Sequence, residues 1–279
     1  MTRFAMVIDV DRCTGCYACF LSCRDEFIGN DYPSYSAAQP ETGQNWIAVK
    51  ENERGTFPKV KVSYLPVPCQ NCEAASCIDA NNDGAVYRRD DGIVMIDPEK
   101  ARGRREIASS CPYGAIFWNT EKNIAQKCTF CAHLLDDGWK IPRCVEACPV
   151  DALVFGDLND ENSAVSKKSA VNETEFLHPE FGLKPSVAYI GLPKKFVAGE
   201  VVLAGDPEEC AAGITVTLTG STGIQTTMTD AFGDFEFVNL EPDTDYEIKI
   251  EEPGLFPVAM KFLTETDVCL GTIILERVG

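Results

Sequence analysis

Twelve of the fourteen cysteines lie in short groups, and the first group, Cys13-Thr-Gly-Cys16-Tyr-Ala-Cys19-Phe-Leu-Ser-Cys23, has the C-x2-C-x2-C-x3-C spacing that wraps a cubane iron-sulfur cluster. Thiolates are soft ligands for iron. In this spacing three of them sit on one tight loop, while the fourth begins a helix and points at a second cluster. One such run therefore requires a partner run that supplies three loop cysteines to the second cluster and returns a fourth to the first.

Three further groups answer that requirement. The second, Cys69-Gln-Asn-Cys72-Glu-Ala-Ala-Ser-Cys77, has three cysteines and Asn81 where a fourth is expected. The third keeps only Cys111, in Cys111-Pro-Tyr-Gly-Ala115, and counting back from it by the same spacing reaches Ile107, Arg104 and Ala101. The fourth is intact, Cys128-Thr-Phe-Cys131 followed after twelve residues by Cys144-Val-Glu-Ala-Cys148-Pro149. Pairing group one with four, and two with three, gives three complete cages: Cys13, Cys16, Cys19 with Cys148; Cys23 with Cys128, Cys131, Cys144; and Cys69, Cys72, Cys77 with Cys111. Positions 81, 101, 104 and 107 form the ligand set of one absent site, so four absences remove one cage and damage no other. A lone C-x2-C pair is also the mark of a zinc ribbon. Beside the complete run at residues 13–23 the iron-sulfur reading prevails, and four thiolates per cage favour 4Fe-4S over 3Fe-4S.

The elements that must position these sulfurs are short. An apolar strand over residues 4–10 leads into the first loop and a helix over 20–27 follows it; strands are expected at 46–50, 60–65, 115–118 and 152–155, with surface loop at 30–43. Tyr17, Phe20, Phe130 and Trp118 read as core. Arg102, Arg104 and Arg105 read as basic surface, and His133 as a helix-surface histidine. Residues 158–185 are polar, a linker or peripheral wrap. Beyond them the pattern changes to alternation, with strands expected at 197–203, 214–219, 224–229, 234–237, 246–251, 259–263 and 271–276. The run over 229–242, Thr-Asp-Ala-Phe-Gly-Asp-Phe-Glu-Phe-Val-Asn-Leu-Glu-Pro, resembles transthyretin-like and collagen-adhesin B-type modules. The expected class is α+β: a bacterial-ferredoxin-like domain with insertions over 1–157, a linker over 158–195, and a seven-stranded all-β sandwich or barrel over 196–279.

Net charge is −18, with 17 Lys and Arg against 20 Asp and Glu over residues 1–150 but 8 against 23 over 151–279. An acidic chain of this kind argues against nucleic acid as partner. No apolar run approaches the roughly 18 residues of a membrane span. The N-terminus reaches Asp9 too soon for a signal peptide, so the expected location is cytoplasmic, with thiols kept reduced.

Residues 1–156 resemble the iron-sulfur subunits of the dimethyl-sulfoxide-reductase family of molybdenum enzymes, through Val7-Ile-Asp-Val-Asp-Arg-Cys13, the run Gly84-Ala-Val-Tyr-Arg-Arg-Asp-Asp-Gly-Ile-Val-Met-Ile-Asp97, Cys111-Pro-Tyr-Gly-Ala115 and Arg143-Cys-Val-Glu-Ala-Cys-Pro149. The resemblance implies an electron-transfer subunit without a substrate site of its own, in a heterodimer or larger complex with a large subunit carrying molybdopterin guanine dinucleotide and molybdenum. Three clusters plus a C-terminal β module point within that family to transhydroxylase-type enzymes of polyhydroxylated benzene rings, with a hydroxylase, a dehydroxylase or a free polyferredoxin-like carrier as alternatives. The resemblance also implies an order: the cage with Cys148 faces the large subunit, the cage with Cys23 is central, and the cage with Cys111 is outermost. Most members hold a fourth cluster, which is the one farthest from molybdenum.

Overall fold

The computed structural model describes residues 1–81, 83–205, 209–221 and 223–278. The chain divides into two units, residues 1–52 with 63–192, and residues 53–62 with 193–279. In chain order, β1 (Phe4–Asp9) enters the first cysteine loop and α1 (Ala18–Phe27) leaves it; β2 (Ile47–Thr56) and β3 (Lys59–Pro68) pair as a ribbon before the second loop and α2 (Ser76–Asp79). The hairpin β4 (Val86–Arg88) with β5 (Val94–Ile96) and the short α3 (Glu106–Ser109) precede Cys111. A third hairpin, β6 (Phe117–Asn119) with β7 (Ile124–Gln126), leads to the fourth group, whose helices are α4 (Ala132–Asp136) and α5 (Arg143–Glu146), and then to β8 (Leu153–Asp157).

The first unit is built on β1. Its sequence, Phe-Ala-Met-Val-Ile-Asp, is buried from Ala5 to Asp9, as a strand covered on both faces must be. Met6 and Ile8 face the larger core, among Cys19, Cys23, Phe27, Phe130 and Phe155. Ala5 and Val7 face the other way, onto Val165. β8 pairs antiparallel with β1, placing the exit of the fourth cysteine group beside the entry to the first.

Residues 158–195 are more than a polar linker. They carry α6 (Ala164–Val171), capped by Ser163, whose Oγ accepts from the Ser166 N–H at 3.2 Å, and β9 (Val187–Ile190), which pairs in parallel with β1. Lys168 on α6 reaches the Asp9 carboxylate at 2.7 Å. Only Val165, Val187 and Tyr189 of these residues are large and fully buried, so the average over the segment is polar although its few apolar positions are spaced to face β1.

The second unit holds β10 (Lys195–Leu203), β11 (Glu209–Cys210), β12 (Thr215–Gly220), β13 (Gly223–Met228), β14 (Asp234–Leu240), β15 (Asp245–Ile250), β16 (Val258–Leu263) and β17 (Val268–Leu275). One sheet runs β11-β10-β14 with β17 parallel to β10, and the other runs β13-β12-β15-β16. Between them Val197, Val201, Phe235 and Phe237 meet Val216, Leu218, Tyr246 and Ile248. All seven expected segments form strands; the eighth, β11, is two residues long and too short to show alternation. At the β13–β14 turn Asp230 Oδ1 accepts from the N–H groups of Phe232 and Asp234 at 2.8 and 3.0 Å, and Gly233 has φ +84° where a Cβ would collide with the Val201 carbonyl. Cys210 and Cys269 are both free and lie at different points along β10, opposite Val202 and Ala198.

Within this unit the tip of the β2–β3 ribbon brings cations to acidic strands: Lys59 to Asp234 at 2.5 Å, Lys61 to Glu236 at 2.7 Å, and Arg54 to Asp267 at 3.2 Å. The hydrogen bond to Asp234 holds the Lys59 ammonium above the ordinary lysine range. A raised lysine pKa contributes stability that is fully present below about pH 10.4 and is lost as pH rises through the raised value. Lys59→Met is therefore expected to lower the calorimetric unfolding midpoint of the full chain modestly at pH 8, by a margin that shrinks with added salt and closes above about pH 10.5.

Candidate metal centres

Each cysteine group is shaped by backbone that turns toward its sulfurs. In the first loop Gly15 and Tyr17 both take left-handed φ, and α1 then presents Cys19 and Cys23 one turn apart on its buried face. A Cβ on Gly15 would sit 2.5 Å from the Tyr64 ring, so only glycine lets the loop pass there. In the fourth group Phe130 and Cys131 are left-handed, and the Phe130 N–H donates to Cys128 Sγ at 3.4 Å. The Ala152 N–H, at the entry to β8, donates to Cys148 Sγ at 3.2 Å. In the second loop Asn71 is left-handed and its Oδ1 accepts from the Val94 N–H at 3.0 Å, tying the loop to β5.

The sulfurs gather in three sets. Burial pushes Cys19 up to about 12; the Phe20 N–H opposes this, and the nearby Cys13, Cys148 and Cys16 add to it. Burial raises Cys23 well above the thiol range, with Cys128 and Cys131 next to it, and Cys144 likewise, with Cys131, Cys128 and Cys23 as its neighbours. Cys72 is pushed up to about 12 by burial and by Cys69, Cys111 and Cys77. The sets also lie in series. Cys19 acts on both Cys23 and Cys144, joining the first set to the second, and Cys69 lies against Cys128, its own N–H toward that sulfur, joining the second to the third.

The donors are all sulfur, and they stand around space. Cys69, Cys72, Cys77 and Cys111 line a small pocket walled by Val94, Ile116 and Leu183. A single zinc ion needs sulfurs at about 2.3 Å; among the described residues no three Cys, His, Asp or Glu side chains are placed to hold one ion. All-thiol donor sets of four fit an iron-sulfur group. Because burial favours their neutral form, loading iron must displace protons.

The four positions of the absent cage also converge, and side chains fill them. Ala101 and Ile107 are fully buried in one apolar cluster with Ile116 and Ala125. Arg104 donates to Asn81 Oδ1 at 3.1 Å and pairs with Asp83 and Glu106, while Asn81 Nδ2 donates to the Cys77 carbonyl at 2.9 Å. Arg102 and Arg105 are exposed, but Arg104 is half-buried in this plug and is not plain surface. His133 is likewise not a surface residue. Its ring stacks on Tyr32 at 3.8 Å, and Nε2 lies 3.0 Å from Glu26 Oε1. Burial pushes the Glu26 carboxyl up, but hydrogen bonds from Tyr32 and His133 outweigh it and leave the carboxyl below its ordinary range. Phe130 is core; Tyr17 is not, being 39% exposed beside the exposed Cys16 and Leu21. Sequence reasoning passed over Lys127, which is buried next to Cys128 and whose only signal is that adjacency.

Gly15→Ala is expected to push the loop off the Tyr64 ring and to lower anaerobically reconstituted iron by up to about a third, one site of three. Gly114→Ala, at a similar φ but with open space around the added Cβ, serves as the control and should keep its iron.

Residues 60–158 match the family model of the 4Fe-4S dicluster domain. The chain is 41% identical over 261 residues to the pyrogallol hydroxytransferase small subunit of Pelobacter acidigallici, covering 91% of this chain and 92% of that one. It is 36% identical over 220 residues to a putative dimethyl sulfoxide reductase iron-sulfur subunit of Halobacterium salinarum (68% and 79% covered), and 34% identical over 221 residues to a sulfite dehydrogenase subunit of Allochromatium vinosum (75% and 89%). With its three thiol sets and this breadth of identity, the chain belongs to the iron-sulfur subunits of the dimethyl-sulfoxide-reductase family, among them the small subunit of pyrogallol hydroxytransferase.

Proposed function

We propose that this chain is the electron-transfer subunit of a molybdenum oxidoreductase of the transhydroxylase type, acting on polyhydroxylated aromatic rings, and that its twelve clustered cysteines hold three 4Fe-4S clusters. The observation that carries the reading is the series of three four-thiol sets joined through Cys19 and Cys23 on one side and Cys69 and Cys128 on the other. Clusters bound there supply one-electron carriers along a single protein body. The chain's own contribution is to hold the sulfurs, to donate backbone N–H groups to Cys128 and Cys148, and to keep water away from Cys19, Cys23, Cys131 and Cys144, all buried.

The first set is the end that meets the large molybdopterin subunit in this reading, because Cys16, Tyr17 and Leu21 leave it uncovered. The third set, beside the plugged fourth position, is the outer end. Identity over 91% of the chain, a span that must include most of the β module, favours the transhydroxylase type over relatives matched over 68% and 75%. Residues 196–279 serve bracing or docking. No helix among the described residues is long and apolar enough to cross a membrane, and the free state of all fourteen cysteines is in keeping with a reducing, cytoplasmic setting.

Anaerobic affinity purification from native cells is expected to yield about 12 irons per chain together with a large subunit and about one molybdenum. Iron without molybdenum would turn the reading toward a free carrier, and zinc in place of iron would overturn it. Cys77→Ser is expected to remove the outer site alone, about a third of the iron, with the other two electron paramagnetic resonance signals intact.

A further inference from the structure

Lys127 is 2% exposed, and its ammonium lies between the second and third thiol sets. It donates to the carbonyl of Cys128 at 2.9 Å and to the carbonyl of Val94, which walls the cavity of the third set. None of the ion pairs among the described residues includes it; Asp31 pairs instead with Lys122 and Asp9 with Lys168. A buried ammonium with only carbonyl dipoles around it is costly. Its two carbonyl bonds set it beside Cys128 of the second set and against the wall of the third, whose sulfurs would carry negative charge with iron bound.

We propose that Lys127 is a fixed counter-charge for the second and third iron-sulfur sites, holding both reduction potentials above the values they would take beside a neutral side chain; this rests on the reading of the twelve cysteines as iron ligands. A cation stabilises the more negative, reduced form of whatever anionic group it faces. An electron therefore rests more favourably on the central and outer sites than it would without this side chain.

The test uses the full chain, purified anaerobically with whatever subunit accompanies it, as wild type, Lys127→Met and Lys127→Arg. Iron content is measured first, then each site's potential by redox titration followed by electron paramagnetic resonance. The expected result is that Lys127→Met keeps its iron and shifts two of three signals toward reduced affinity for the electron by at least tenfold in the oxidised-to-reduced ratio, 59 mV for one electron. The third signal and the whole Lys127→Arg profile should stay at wild-type positions. A smaller shift in an iron-replete Lys127→Met chain overturns the proposal. If Lys127→Met loses iron at those sites, retention by Lys127→Arg upholds a need for charge, and loss in both variants reduces Lys127 to a hydrogen-bonding strut and overturns it. A wild-type chain without iron overturns the cluster reading itself, and the counter-charge with it.

Discussion

Every thiol set draws on two segments far apart in sequence, and one turn of α1 serves two sets at once. Cys19 and Cys23 are on the same helical face, yet Cys19 lies with Cys13 and Cys148 and Cys23 with Cys128 and Cys131. A helical turn rises about 5.4 Å, so the spacing between adjacent sites is set by covalent geometry and not by packing that could relax. The rest of the first unit follows from this. β1 and β8 must run antiparallel to bring residue 148 back to residue 13, and α5 must lie against α1 to bring Cys144 to Cys23.

The cysteine architecture was legible because ligand spacing is local and its chemistry is strict. The division into three sets, and the reading of positions 81, 101, 104 and 107 as one absent set, come from counting residues. What escaped counting depends on partners far away in the chain. His133 is polar and sits in a short helix, and only the packing of Tyr32, Phe27 and Glu26 around it makes it interior. Arg104 looks like its exposed neighbours until Asn81 and Asp83 are seen beside it. Most β-strands of the second unit were legible from alternation, as in β12, β15 and β16, and only β11, two residues long, had too little pattern to show.

Charge asymmetry between the two halves of the sequence also has a structural meaning. The acidic excess lies in residues 151–279, and part of it is met by the ribbon tip, whose Arg54, Lys59 and Lys61 belong by sequence to the other half. Arg54 and Lys61 also approach the face of Phe196, at 5.5 and 4.8 Å from its centroid. An insertion between the first two cysteine groups thus contributes to a fold that begins well over a hundred residues later.

The side chains at positions 81, 101, 104 and 107 resist replacement one residue at a time. A cage needs all four thiolates, so one cysteine regained at 81, 101, 104 or 107 binds no iron. It also carries a cost at each of them, opening the apolar packing at Ala101 or Ile107, or severing the bonds among Arg104, Asn81 and Asp83. No single substitution supplies a fourth set of thiols, and each one disturbs packing or hydrogen bonds that the present side chains make.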